Sequence, residues 1–398
     1  MAPRVRDLAR GACGAAMLAG VIAGIIGCAG PSRDAAARPD SSEPTLAPPS
    51  AARGERPEVA FVALDAKELG IVEALPMLSP KIDMAQRMSF VQGIEYSGRA
   101  ADARAQSAAA ELLAAYRASA SSDEFGAELD RRFVFERCSA FGGEAHEGRA
   151  LLTAYATPVV EASRAPDARH RYPLFADLRA PLPELATAPR ADILASPDAR
   201  ARAIGWVEDP LAWALVETNG TAIVRFPAAR GARAVEVPIS RVATNGRPFT
   251  SLARGLAAKG LLELPKATLD SVAKVARENP EAAEAAALSN ERVVFFAPAD
   301  PATFPPALGL AGDARLLPGI SCAADWRVYP PGTTLLLVER RGDRAMLRFA
   351  FVHDSGGAIE GPGRVDLYFG VGAEAIASAG RVRGEVEVYR LRVREGAR

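Results

Sequence analysis

Two aspartates, Asp354 and Asp366, stand twelve residues apart within the stretch FAFVHDSGGAIEGPGRVDLYFGVG, Phe349 to Gly372. The apolar run before them, Met346 to Val352, has too few polar positions for a surface strand and reads as a strand buried on both faces. It stops at His353–Asp354, where Ser355–Gly356–Gly357 supplies turn chemistry. A second corner follows at Gly361–Pro362–Gly363, and a second short strand begins near Val365 and carries Asp366. A glycine-rich loop of this kind can bring the carboxylates together and let backbone at Gly356 and Gly357 approach a ligand. Two carboxylates that share a site cannot both ionise freely, so one stays protonated near neutral pH and can act as an acid. The same residues also have a structural use, since Asp before Gly-Gly often forms a turn and Asp366 can accept a strand-end hydrogen bond.

The elements that must position this pair follow an address segment. Arg4, Arg6 and Arg10 form a basic start, and Gly11 to Gly27 are seventeen small or apolar residues, which suits a signal-peptide core better than a membrane span. Ile25–Ile26–Gly27–Cys28 resembles the bacterial lipoprotein cleavage box, which implies lipid on Cys28 and a cell-envelope location, on the periplasmic face of the outer membrane. A plain signal peptide or an uncleaved anchor is the alternative. Residues 29–57 are Ala, Pro, Ser and charge, cannot bury a core, and read as a disordered tether. The remainder is long enough for two domains.

Charge is balanced, with 48 basic and 48 acidic residues, which argues against an electrostatic nucleic-acid binder. His146, His170 and His353 form no metal-ligand motif, no CxxC is present, and no cofactor is expected. Cys138 and Cys322 can pair in an oxidising compartment or stay as two buried thiols.

Residues 58–150 read as a mostly helical segment, with an Ala-rich helix over Ala101–Ala120 and another over Glu124–Phe135. From Leu151 the pattern turns β-rich, with strands expected at Leu151–Tyr155, Tyr172–Phe175, Ala203–Trp206, Ala212–Glu217, Ile223–Phe226 and Val235–Ile239. Helices are expected at Leu252–Lys259, from Thr268 or Asp270 to Asn279, and at Glu281–Leu288, before a strand at Val293–Phe296. Strands then run to Leu391, with one helix at Ala373–Ala379. The GxGxxA match at Gly370–Ala375 is followed by too little chain for a dinucleotide-binding βαβ unit and reads as a tight turn.

With these residues in view, the chain resembles the family of membrane-bound lytic murein transglycosylase A. The three aspartates after which that family's terminal domain is named correspond to Asp325 in GISCAADWRVYPPGT, Asp354 in DSGGAIEG and Asp366 in GRVDLYFG. NGRPFTSL, Asn245 to Leu252, and SNERVVFF, Ser289 to Phe296, match two further motifs. The resemblance implies a mainly β protein with a helical N-terminal segment, in which a double-psi β-barrel carries an inserted second β-rich domain. It places a glycan-binding domain at 151–300 and a catalytic barrel at 301–398. It also implies cleavage of the β-1,4 MurNAc–GlcNAc bond of peptidoglycan with formation of a 1,6-anhydro sugar. Asp366 matches the single acid/base, Asp354 would raise its pKa, and Asp325 would orient the pair. Thr153, Tyr155, Asn245, Gly246, Thr250, Ser251, Gly356 and Gly357 would line the groove. The partners implied are peptidoglycan glycan strands and, through the lipid, the membrane.

Three positions depart from the family pattern. Thr153–Ala154–Tyr155–Ala156–Thr157 lacks one aromatic platform, Asn219–Gly220–Thr221–Ala222 stands where Gln-Gly-Ser-Gly is usual, and Ile320 replaces an Arg. The same residues also fit a lipid-anchored peptidoglycan-binding protein without turnover, or a glycoside hydrolase using Asp354 and Asp366 as two carboxylates.

Overall fold

A computed structural model describes residues 57–64, 84–227, 233–341, 344–357 and 359–396. The expected leader, the lipidated Cys28 and the tether lie outside them. Among the described residues no helix is long and apolar enough to cross a membrane.

The N-terminal part is a strand, β1 (Val59–Leu64), then helices α1 (Met84–Ser97), α2 (Ala103–Ala118) and α3 (Ser122–Arg132), followed by β2 (Phe133–Phe141) and β3 (Glu144–Ala145). Asp102 starts α2 by accepting from the amides of Arg104 and Ala105, and Ser121 caps α3. Helix α3 ends at Arg132 rather than Phe135, because Phe133-Val-Phe continues as a strand whose two phenylalanines are fully buried. The segment expected to be helical therefore also supplies strands. Glu136 of β2 is clasped by Arg390 at 2.8 Å and by Arg392.

β4 (Arg149–Thr157) then enters a barrel completed only at the far end of the chain by β11 (Ser321–Ala323), β12 (Thr334–Arg341), β13 (Arg344–Asp354), β14 (Arg364–Val371) and β15 (Arg383–Val393). The order β15-β12-β13-β11-β14-β4 closes on itself through β4 with β15. Helix α1 lies tightly on this barrel. A Cβ at Gly93 would stand 2.6 Å from Ile320 Cγ2 and 2.9 Å from the Phe351 ring, so only glycine allows the approach.

Between β4 and β11 the chain builds a second closed barrel, β10-β6-β7-β5-β8-β9. Its strands are β5 (Val159–Ser163), β6 (Tyr172–Ala176), β7 (Ala203–Val207), β8 (Thr221–Phe226), β9 (Val235–Thr244) and β10 (Val294–Pro298). Two short helices, α4 (Arg190–Ala195) and α5 (Pro197–Arg200), precede β7. Helices α6 (Pro210–Asn219), α7 (Leu252–Ala258), α8 (Leu269–Glu278) and α9 (Pro280–Leu288) complete the unit. Helix α6 overturns the strand expected at Ala212–Glu217. Asp209 caps it, Pro210 occupies its first turn, and Gly220 ends it in the left-handed region at φ +70°. Its Leu211, Trp213, Leu215, Val216 and Glu217 are all buried, so the apolar run carries no helical stripe. The later helix α10 (Ala373–Ala379) falls where the sequence places it. Both architectures are closed six-stranded barrels with helices packed on mixed sheets. Cys138 and Cys322 are separate buried thiols.

Candidate active site

Strand β11 is short, and its last residue organises the site. Ala323 pairs with Asp354 on β13 and with Asp366 on β14, while Asp366 pairs in turn with Thr153 on β4. Asp354 and Asp366 thus flank one residue, with Cα atoms about two strand spacings apart, roughly 9–10 Å. Asp366 is 4% exposed, and the Thr153 hydroxyl donates to its Oδ1. Arg364 Nη2 stands 3.7 Å from its Oδ2. Two residues after Thr153, the half-buried Tyr155 donates its phenol to Asp354 Oδ2 at 2.5 Å, and Ser355 N–H donates to Oδ1 at 2.8 Å. The Trp326 indole N–H holds the Asp354 carbonyl at 3.1 Å.

Burial pushes the Asp366 carboxyl up to about 6; Arg364 opposes the rise and the Asp354 charge adds to it. Asp354 is also raised by burial to about 6, but the Tyr155 and Ser355 donors and the charge of Arg241 favour its ionised form. Asp354 therefore has two donors that stabilise a negative charge, and Asp366 has one hydroxyl and the nearby Arg364. Both carboxyls are thus raised into the same range, where either can hold a proton. Burial and the Asp354 charge keep the Tyr155 phenol protonated, hence a donor.

Asp325 is close in sequence to β11 but does a different task. Burial would raise its carboxyl, yet a two-pronged clasp by Arg327 and the Gly361 amide at 2.5 Å hold it below the usual range. It pins the loop that joins the other two aspartates, rather than contacting either of them among the described hydrogen bonds. Gly356 and Gly357 lie in that loop directly after Asp354, where Gly357 is exposed.

The loop after β9 also differs from expectation. Asn245 is buried, donates to the carbonyls of Ala188 and Glu291 at 2.9 Å each, and accepts from the amides of Arg247 and Val293. All four of its hydrogen-bonding positions are engaged by backbone, so it shapes the loop rather than presenting an amide to a sugar. Ser251 is buried and caps α7 by accepting from Arg254 N–H. Thr250 is half-buried with its amide on Asn290 Oδ1 at 2.9 Å, and Gly246 is exposed at φ +74°.

Two of the departures noted in the sequence lie in the core. Ala156 is fully buried and Ile320 packs against Gly93 of α1, so neither position faces a groove in this chain. Thr221 does reach between the barrels, its hydroxyl 3.5 Å from that of Thr157, which lies 3.3 Å from Tyr368 Oη.

Sequence reasoning missed Arg364, Arg241, Trp326 and the buried His353. His353 bonds Ser321 Oγ at 2.8 Å and Ser97 Oγ at 3.1 Å, and burial drives it down to about 3, so the ring is neutral. Arg364 and Trp326 carried a signal, being two positions or fewer from an aspartate. Arg241 carried none, since it arrives from the other barrel.

A chain that sets one buried and one half-buried carboxylate across one strand of a closed barrel, beside a second inserted barrel, is built as a two-barrel glycan enzyme would be. Residues 151–297 match the MltA specific insert domain and residues 320–392 match the 3D domain. Membrane-bound lytic murein transglycosylase A of Escherichia coli is 27% identical over 263 residues, covering 64% of this chain and 69% of the relative. Solved structures of the same architecture include E. coli MltA with bound chitohexaose, at TM-score 0.62 and 18% identity over 84% of this chain and 95% of the other. A membrane-bound lytic murein transglycosylase from Agrobacterium tumefaciens gives TM-score 0.62 and 20% identity, covering 84% and 98%. The lytic transglycosylase LtgG of Burkholderia pseudomallei gives TM-score 0.53 and 24% identity, covering 87% and 100%. The chain belongs to the family of membrane-bound lytic murein transglycosylase A.

Proposed function

We propose that this protein is a peptidoglycan lytic transglycosylase that cleaves the β-1,4 bond between N-acetylmuramic acid and N-acetylglucosamine, with Asp366 as its single acid/base. The observation that carries this reading is the buried Asp366 carboxyl, raised to about 6 beside Asp354 and bonded to Thr153. Protonated Asp366 gives its proton to the glycosidic oxygen as the bond breaks. The resulting carboxylate takes the proton of the sugar's own C6 hydroxyl, which attacks the anomeric carbon and closes the 1,6-anhydro ring. Because the nucleophile is tethered, closure is intramolecular and outcompetes water. Asp354 is the standing negative charge that keeps the proton on Asp366, and Asp325 holds the connecting loop. The clasp of Tyr155 and Ser355 on Asp354 favours this one-acid scheme over a hydrolase with Asp354 as a free nucleophile. Thr153 and Tyr155 set the carboxyls, while Gly246, Thr250, Gly356 and Gly357 form groove surface. We take the first barrel to be of the double-psi type, supported by its six-strand closure and by β11 pairing parallel to β13 and antiparallel to β14.

Sacculus digestion by the protein beside Asp366→Asn tests the scheme. The native chain releases anhydro-muropeptides and the variant loses at least about 10³-fold in rate. Equal rates, or products heavier by one water, remove the mechanism. Lipid on Cys28 belongs to the same proposal, and a Cys28→Ala chain that stays in the membrane fraction would count against it.

A further inference from the structure

The face of the second barrel nearest Asp354 carries two arginines that form no ion pair among the described residues. Arg241, on β9, lays its side chain across Gly220, where an added Cβ would stand 3.3 Å from Arg241 Cβ and 3.6 Å from its Nε. Its charge acts on the Asp354 carboxylate. Arg292 precedes β10, donates from Nε to the Arg247 carbonyl at 2.9 Å, and sits 5.6 Å from the centroid of the Phe249 ring. Its Nη1 lies 3.8 Å from where a Cβ on Gly357 would stand, so this guanidinium crosses from the second barrel to the loop that follows Asp354. Burial, and then repulsion from Arg241, hold Arg292 below the ordinary arginine range. By contrast Arg225, on the neighbouring β8, is paired with Glu161 at 3.2 Å and with Glu236 at 2.7 Å.

Two like charges on one face, one of them well desolvated and with the Asp354 carboxylate as their one facing anion, leave room for a second anion. A polymer of N-acetylglucosamine supplies none. A muramyl unit does, either as the carboxylate of its lactyl ether or as carboxylates of the peptide attached there. Guanidinium groups suit that ligand because they bind carboxylates through paired N–H donors.

We propose that Arg241 and Arg292 form an anion grip that selects carboxylate-bearing muramyl units over uncharged glucosaminyl units in the groove beside Asp354. The grip rests on the glycan-cleaving reading above and gives it a substrate preference.

The test is calorimetric binding by the full chain, carrying Asp366→Asn to prevent turnover. Three ligands are used: peptide-bearing muramyl strands, the same strands stripped of peptide, and chitohexaose. Arg241→Gln and Arg292→Gln are each expected to weaken binding of acidic strands about ten-fold and to flatten its salt dependence. The ratio of acidic-strand to chitohexaose affinity falls by a similar factor, and Arg292→Lys, which keeps the charge but not the paired donors, retains only part of that ratio. Loss confined to peptide-bearing strands places the recognised carboxylate on the peptide; loss confined to stripped strands places it on the lactyl group. An unchanged ratio, whether from no loss or from equal loss on chitohexaose, overturns the grip. Failure of the parent chain to bind any of the three would instead remove the glycan reading on which it rests.

Discussion

In the second barrel Glu217 is enclosed on α6 with Arg190 2.6 Å away, and Arg190 also donates to the carbonyls of Asn290 and Arg292 and stacks 4.5 Å from the Trp213 ring. In the first barrel Asp366 is buried to a similar degree and Asp354 is half-buried, yet their hydrogen-bond companions are hydroxyls and an amide, with Arg364 3.7 Å from Asp366. Burial raises all three carboxyls. Only Glu217 is offered a fully enclosed cation to offset it. The first arrangement ties a helix to the strand-entry segment at Asn290–Arg292; the second, on the proposed mechanism, leaves a proton free to move. Whether a buried acid serves structure or chemistry is decided by its neighbours, and that decision is open to measurement.

The largest expected effect breaks the structural pair. Arg190→Met leaves Glu217 buried and uncompensated and is expected to destabilise the protein by about 3–5 kcal/mol in chemical denaturation. A loss below about 1 kcal/mol would show that this pair is not a structural tie.

Next in size is the opposite sign at the other site. The folded pKa of Asp366 lies above the unfolded value, so the native state keeps a proton that the unfolded chain has lost. Its contribution to stability therefore falls as pH climbs from about 4 to about 6. Asp366→Asn removes the ionising group and is expected to stabilise the fold at pH 7 by roughly 1–3 kcal/mol while abolishing activity. A destabilised variant at pH 7 would place Asp366 among the structural carboxylates.

The smallest effect is the most diagnostic of coupling. The rate constant kcat/KM is expected to decline above pH about 6 as Asp366 loses its proton. Asp354→Asn removes a neighbouring negative charge and should move that limb downward by less than about one pH unit. A limb that does not move would dissolve the proposed pairing of the two aspartates.

Local chemistry was readable wherever a few adjacent residues decide the outcome. Thr268 caps α8 in a reciprocal capping box with Ser271, Gly260 follows α7, and the helix at Ala373–Ala379 stands between Gly372 and Gly380. The turn after Asp354 and the strand that carries Asp366 were legible for the same reason. Where an element is buried on every side, the sequence loses its stripe, and α6 reads as a strand although Asp209–Pro210 and Gly220 mark its ends.

What the amino-acid order settled by itself was the pair of acids, the glycine corners between them and the ends of α7, α8 and α10, because each depends on neighbours within a few positions. Only the tertiary structure decided that Ala323 brings Asp354 and Asp366 together, that Asn245 is engaged by backbone, that Asp325 holds a loop, and that Arg241 and Arg292 face the site from another barrel. Those relations arise from closing strands that are more than two hundred residues apart in the chain, β4 against β14 and β15. No short-range preference encodes such a closure; it follows from burying both faces of a barrel wall at once.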